Sequence, residues 1–271
     1  MAYKAWLYPA SAERKYGLLL RNYALAVSSE TERGLKDRDL LRLDDWSSDL
    51  TSYLLEMAAY ALGVGETVTA RLPEVYAQIN QFNDRQWRLV VKAGTGLDIS
   101  ESTQLPPNAR LYGNVSTPDA LRARFGMGVD VYRAEPWLVP LQANWTAQNV
   151  QLIKSIPEQY LSRVETIVRQ GVVSGVSGKE LAKQISDASG VTLRRANIIA
   201  RDQTSKANAQ LSEYRIRDLG IDKYIWTTSH DERVRPSHRA LDGKEFSFDK
   251  PPSEGNPGQP VLCRCWARPV F

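Results

Sequence analysis

The sequence predicts an α+β fold that is predominantly α-helical, a helical body followed by a small C-terminal β-hairpin or mini-sheet unit. Three observations predict it. Apolar residues recur at helical spacing through most of residues 37–93 and 138–217, glycines punctuate the ends of these runs, and after Gly220 the texture changes to short β-branched and aromatic runs parted by turn residues.

Residues 1–35 mix charged, small and aromatic side chains and give no readable period. Asp37 to Leu62 reads as a helix carrying Leu40, Leu41, Leu43, Leu50, Leu54, Met57, Ala58 and Ala61, with Gly63 and Gly65 ending it. Pro73 to Ala93 reads as a second, with Val75, Ile79, Phe82, Trp87, Val90 and Val91 inside and Gly94 closing it. Residues 94–136 are broken by Gly94, Gly96, Pro106, Pro107, Gly113, Pro118, Gly126, Gly128 and Pro136 and read as an irregular arm or linker. A stretch of that length without regular elements is unusual in a compact domain. The expected organisation is an N-terminal helical region (1–93), the arm (94–136) and a C-terminal domain (137–271).

From Leu138 the helical pattern resumes, with Tyr160, Leu161, Val164, Ile167 and Val168 on one face. Ser155 with Glu158 reads as a capping box, with Pro157 in a first turn. Ser177-Gly178-Lys179-Glu180 is a second such box, opening a short helix of Leu181, Ala182 and Ile185 that Gly190 would close. Thr192 then precedes a long helix whose inner stripe is Ala196, Ile199, Ala200, Gln203, Ala207, Leu211 and Tyr214, with Gly220 just past its end. Arg195, Asp202, Lys206, Glu213 and Arg217 fall off the stripe and read as a solvated face, the alternative being a phosphate- or partner-binding one. Lys223 to Thr228 and Val261 to Val270 read as strands, and Glu245 to Phe248 as a short extended segment after the turn Leu241-Asp242-Gly243-Lys244.

At 271 residues, 42% hydrophobic and 24% charged, the chain can bury a core without a disulfide or metal staple. No run approaches a membrane span, and the N-terminus lacks the pattern of a signal peptide. Two cysteines and no export signal point to a reducing compartment. The net charge of +4 is unevenly spread: residues 1–140 hold 16 Lys+Arg against 17 Asp+Glu, residues 141–271 hold 19 against 14. A basic C-terminal half permits a nucleic-acid neighbour without demanding one.

The chemistry-bearing residues gather between Trp226 and Cys265: both histidines (His230 and His238), both cysteines (Cys263 and Cys265), Asp231, Asp242, Arg233 and Arg235. If Cys263 and Cys265 sit on a strand they share one face, with Arg264 on the other. Pairing of the two strands would then bring His238 near the thiols, and Asp231 or His230 would complete a tetrahedral structural zinc site. The alternative is a pair of buried, reduced thiols acting as small hydrophobes. Asp231 to His238 reads either as a loop fixed by local ion pairs or as a site where Asp231 or His238 serves as acid, base or ligand. Trp226, Phe246, Phe248 and Trp266 read as the small core of this unit.

Several motifs resemble the phage minor head protein family, the Mu F-like or head-morphogenesis proteins. They are Ala196-Asn197-Ile198-Ile199-Ala200-Arg201-Asp202-Gln203-Thr204, Leu219-Gly220-Ile221, Tyr224-Ile225-Trp226, Asp231-Glu232-Arg233-Val234-Arg235 with His238, Leu241-Asp242-Gly243, and Cys263-Arg264-Cys265. Weaker likeness runs through Asn149 to Lys154 and Phe82 to Trp87. Many members have Arg-Thr-Glu where this chain has Arg201-Asp202-Gln203-Thr204, so any role of that glutamate falls here to Asp202 or Gln203 or is absent. The resemblance implies a structural protein of the virion, inside the capsid near the portal after assembly in the host cytoplasm, with portal protein and major capsid or scaffold protein as partners. Packaged DNA is a further neighbour, for which Arg194, Arg195, Arg201, Lys206, Arg233 and Arg235 are the contact candidates. No membrane or small-molecule partner is expected. The chain closes six residues past Cys265, so no appended catalytic domain is expected. Two alternatives remain: a metal-dependent hydrolase or nuclease using His230, Asp231, His238 and the thiols, and a free DNA-binding protein.

Overall fold

The computed structural model describes residues 7–38, 41, 46–95 and 135–271. Within them lie helices α1 (Ala10–Asp37), α2 (Trp46–Thr69), α3 (Leu72–Thr95), α4 (Leu138–Val173) and α5 (Gly178–Asp218), then β1 (Lys223–Thr227), the short α6 (Pro236–Arg239), β2 (Glu245–Ser247) and β3 (Trp266–Pro269). The protein is therefore α+β and mostly helical, as its patterning predicts. Most of the expected arm, residues 96–134, lies outside the described residues, as do Leu40 and Leu43.

Contacts divide the chain into two compact units, each discontinuous in sequence: Met1–Ala12, Tyr76–Gln142 and Asp202–Phe271 form one, and Glu13–Val75 with Ala143–Arg201 form the other. The second unit is helical, with a core built from Tyr16, Leu20, Tyr23, Leu50, Tyr53, Ile153, Tyr160, Val164 and Leu181. Three of its tyrosines bury their rings and keep their hydroxyls bonded. Tyr16 donates to Asn149 Oδ1 at 2.7 Å, Tyr23 to the Ala61 carbonyl at 2.9 Å, and Tyr53 to the Glu30 and Thr31 carbonyls at 3.0 and 2.9 Å.

Several boundaries differ from the sequence reading. α1 occupies residues that show no clear period, because its buried stripe includes Ser28 and Thr31 beside Leu20, Val27 and Leu35. Thr31 Oγ1 donates to the Val27 carbonyl at 2.7 Å, so a hydroxyl sits inside without an orphaned group. α2 runs through Gly63 and Gly65 to Thr69; a Cβ at Gly65 would lie 3.0 Å from the Tyr23 hydroxyl, so this glycine permits close approach instead of a stop. α4 passes through Ser155 and Pro157 without a break, and Ser155 Oγ bonds the Leu152 carbonyl inside the helix instead of capping a new one. Ser177 does cap: its Oγ accepts the Glu180 N–H at 3.3 Å. The helix it opens does not end at Gly190, since α5 continues for 41 residues, with Thr192 Oγ1 bonded to the Ala188 carbonyl at 3.0 Å. It ends at Gly220, at φ 74°, where the Ile221 N–H reaches the Ile216 carbonyl and the Gly220 N–H the Arg217 carbonyl. That is the paired closure that favours glycine just past a helix.

The sheet lies in the first unit, all antiparallel in the order β2-β1-β3, with Tyr224 opposite Phe246 and Pro269, and Trp226 opposite Ala267. Only Trp266–Pro269 of the expected 261–270 strand is a strand; Val261 to Cys265 are not, and Leu262 has φ 58°. Under the sheet, Trp87, Val90 and Val91 of α3 and Ile216 of α5 pack with Tyr224, Trp226, Phe248, Ala267 and both cysteines. Phe246 and Trp266 are only partly buried.

Candidate functional site

Three segments of the first unit converge on the two thiols. Between β1 and β2 the chain makes a wide connection whose base is closed by reciprocal bonds, Trp226 N–H to the Lys244 carbonyl and Gly243 N–H to the Trp226 carbonyl, both 2.9 Å. Gly243, at φ 77°, supplies the turn, and Asp242 Oδ1 accepts the Thr228 N–H at 2.8 Å. Inside this connection Pro236 opens α6 with its fixed φ, and the helix carries His238 inward, where the ring is 2% exposed.

The segment before β3 is pinned from several directions. Leu262, in its left-handed conformation, gives its N–H to Asp202 Oδ1 of α5 at 2.8 Å. Ser205 Oγ donates to the Cys263 carbonyl and Arg235 to the Val261 carbonyl. Arg264 points away from the thiols and pairs with Asp231, whose other oxygen accepts the Arg233 N–H at 3.1 Å. Asp202 is thus buried and structural, not part of a solvated face, and it also holds Lys206 at 2.8 Å. In this chain the acidic position of the Arg201-Asp202-Gln203-Thr204 motif anchors the cysteine loop.

The result places Cys263 Sγ 3.5 Å and Cys265 Sγ 3.4 Å from one atom, His238 Nδ1. Both thiols are free and buried. The sequence route to this arrangement, two cysteines on one strand face, is incorrect; a non-strand turn aims both sulfurs at the ring. His238 Nε2 lies 3.4 Å from Glu254 Oε2, and the ring stands edge-on to Trp226 with centroids 5.3 Å apart. The Gly258 and Cys265 N–H groups both reach Cys263 Sγ at 3.4 Å. Hydrogen bonding from the Cys265 thiol is the largest influence on Cys263; against the cost of burial, and helped by these N–H groups, it draws Cys263 down to about 6. Cys265 moves the other way, its proton held by Cys263 and its charged form disfavoured by burial. The pair therefore favours one thiolate and one thiol.

Asp231 and His230, the two candidates for a fourth ligand, are not brought to the thiols. Asp231 is engaged by Arg264 and, at 3.7 Å, by Arg233, and His230 is exposed with its Nδ1 3.6 Å from Asp242 Oδ2. Among the described residues, the group of side chains placed to share an ion is His238, Cys263 and Cys265, with ligand atoms within 4.8 Å of one another. Glu254 is a neighbour that the sequence reading missed; it lies in a Pro/Gly-rich loop, and nothing in its local pattern marks it.

Of the DNA-contact candidates, Arg194, Arg233 and Arg235 are exposed. Arg195 donates to Ser155 Oγ at 2.9 Å, Arg201 to Glu13 at 3.4 Å, and Lys206 pairs with Asp202. No described helix is long and apolar enough to cross a membrane.

Residues 162–268 match the family described as Phage Mu protein F like protein, a family of phage head morphogenesis. The match takes in the end of α4, all of α5, β1, β2 and all but the last residue of β3. An uncharacterized protein of Haemophilus influenzae is 43% identical over 166 residues, 60% of this chain and 37% of that protein. An uncharacterized protein of Methanocaldococcus jannaschii is 32% identical over 134 residues, 48% of this chain and 20% of its own length. An Enterococcus faecalis protein named NAD(+)--arginine ADP-ribosyltransferase EFV is 27% identical over 123 residues, 40% of this chain and 25% of that protein. The chain thus spans little more than a third, at most, of these relatives. No solved structure matches it.

Proposed function

We propose, from the membership of residues 162–268 in the phage Mu protein F-like family, that this chain is a structural minor head protein of a tailed phage. It is built into the capsid interior near the portal, contacts portal and major capsid or scaffold protein, and serves head assembly and genome packaging or ejection. The family match carries this reading. The motif residues add support, because they act on their own framework: Asp202, Arg235 and Asp231 each fix a turn of the C-terminal unit. A hydrolase built on His230, Asp231, His238 and the thiols has less support, since Arg264 occupies Asp231 and both thiols are buried.

Co-expression of the tagged full chain with the portal and major capsid proteins of its phage, followed by gradient sedimentation, tests the proposal. The chain should travel with procapsids and be lost from shells assembled without portal. Its staying at the top of the gradient in both cases would reject the role. DNA contact is tested separately: Arg194→Ala, Arg233→Ala and Arg235→Ala should weaken a low-salt band shift and flatten its salt dependence. A chain that shifts no DNA at any salt concentration would remove that part.

A further inference from the structure

We propose that Cys263 Sγ, Cys265 Sγ and His238 Nδ1 bind one zinc ion, with water as the fourth donor, and that this ion locks the C-terminal sheet unit. The proposal rests on the geometry of this cluster and stands independently of the head-protein role.

Three features point to an ion. The first is spacing. An ion about 2.3 Å from sulfur and about 2.0–2.1 Å from nitrogen, with tetrahedral angles, sets sulfur and nitrogen about 3.6 Å apart. The two observed separations are 3.5 and 3.4 Å. The second is valence. A neutral imidazole nitrogen offers one N–H or one lone pair, so Nδ1 cannot satisfy two sulfurs by hydrogen bonding, whereas one ion accepts all three donors. The third is the surrounding shell. His238 Nε2 is buried without a hydrogen bond, and the Glu254 carboxylate 3.4 Å away is the acceptor within reach of a proton there; with the proton on Nε2, the Nδ1 lone pair is directed at the sulfurs. The Gly258 and Cys265 N–H groups supply the hydrogen bonds that a buried thiolate needs.

The donor set selects the metal. Two thiolates and an imidazole suit zinc over magnesium or calcium, which take oxygen ligands. Their charges cancel those of a dication, which removes much of the cost of burying them. Bound there, the ion ties α6, in the connection after β1, to the turn that leads into β3. Those two segments are otherwise joined by Arg235 to the Val261 carbonyl and Arg264 to Asp231, both involving partly or fully exposed side chains.

Elemental analysis of the full chain purified under reducing conditions should find one zinc per chain. Replacement by cobalt should give sulfur-to-metal charge-transfer absorption and the visible bands of a tetrahedral thiolate site. Cys263→Ser with Cys265→Ser should abolish both signals. Glu254→Gln, which leaves every ligand in place, should weaken zinc binding by about 10–100-fold, measured against a chromophoric chelator. Removal of zinc by a strong chelator should lower the melting temperature of the wild-type chain, and added zinc should restore it. If the double variant fails to fold, the wild-type titration and Glu254→Gln decide. A folded, reduced wild-type chain that takes up no zinc would overturn the proposal. So would zinc bound with undiminished affinity by a folded double variant, or cobalt spectra lacking thiolate character.

Discussion

Arg215 offers the sharpest test of the first unit's packing. It sits on α5 with 3% of its side chain exposed, and its guanidinium makes two bonds to Glu135, at 2.7 and 3.0 Å, one to Asn80 Oδ1 at 2.7 Å and one to Asn83 Oδ1. Asn83 in turn donates to the Asn208 carbonyl and to Ser212 Oγ, at 2.9 and 2.8 Å. Arg215→Met keeps the aliphatic stem and removes the charge. Deleting one partner of a buried pair costs about 3–5 kcal/mol, chiefly through the group left behind. Glu135 is 29% exposed and recovers some water, so the low end applies. At roughly 2–4 °C per kcal/mol for a domain of about 150–250 residues, a 3 kcal/mol loss lowers the melting temperature by about 6–12 °C. Glu135→Gln, which keeps a neutral acceptor in a half-wet position, should cost only about 1 kcal/mol. Thermal unfolding followed by circular dichroism reads both variants. If Arg215→Met melts within about 2 °C of the parent, the buried network is not holding the unit together.

Three other substitutions follow from local geometry. Gly258 has φ 85°, and a Cβ there would meet Ala209 Cβ at 2.3 Å. Gly258→Ala should therefore cost more than the ~1–2 kcal/mol of the left-handed backbone alone, in urea titration. Asp202→Ala strips Leu262 of a charged acceptor at 2.8 Å and should cost about 1.5–3 kcal/mol, while Asp202→Asn should recover most of the loss; equal losses in the two variants would show that the hydrogen bond does not matter. In the second unit, helix propensity alone says that Gly34→Ala gains up to ~1 kcal/mol. Its Cβ would lie 2.2 Å from the Tyr53 hydroxyl, which is doubly bonded to α1 carbonyls, so a net loss is expected. A stabilised variant would refute that packing.

How much of this was legible depends on whether an element announces itself by hydropathy. α3 and the strand at Lys223–Thr227 do, and their boundaries fall within about two residues of the apolar pattern. α1 does not, because tyrosine, serine and threonine line its inner face and each hydroxyl hides its burial behind an internal bond. Gly190 and Pro157 mislead for another reason. A glycine costs a helix interior about 0.5–1 kcal/mol and a proline about 3 kcal/mol, and tertiary burial outweighs such local penalties. Around Pro157, Ile153, Ile156, Tyr160 and Leu161 are all buried, so the continuous helix is the better solution.

The cysteine cluster shows a different limit. Sequence brings His238, Cys263 and Cys265 to attention through residue type, yet the strand geometry invoked to join them does not exist at 261–265. What joins them is a turn that depends on three residues outside the Cys263-Arg264-Cys265 run: Asp202, 60 positions from Leu262 in sequence, Ser205 on the same helix, and Gly258, whose N–H faces the sulfur. Glu254 reaches the ring from a loop that reads as a mere connector. A motif read in one dimension names the donors. The direction in which they point is fixed by a helix far upstream, so substitutions at Asp202 or Gly258 should disturb the cysteine loop as much as substitutions beside it.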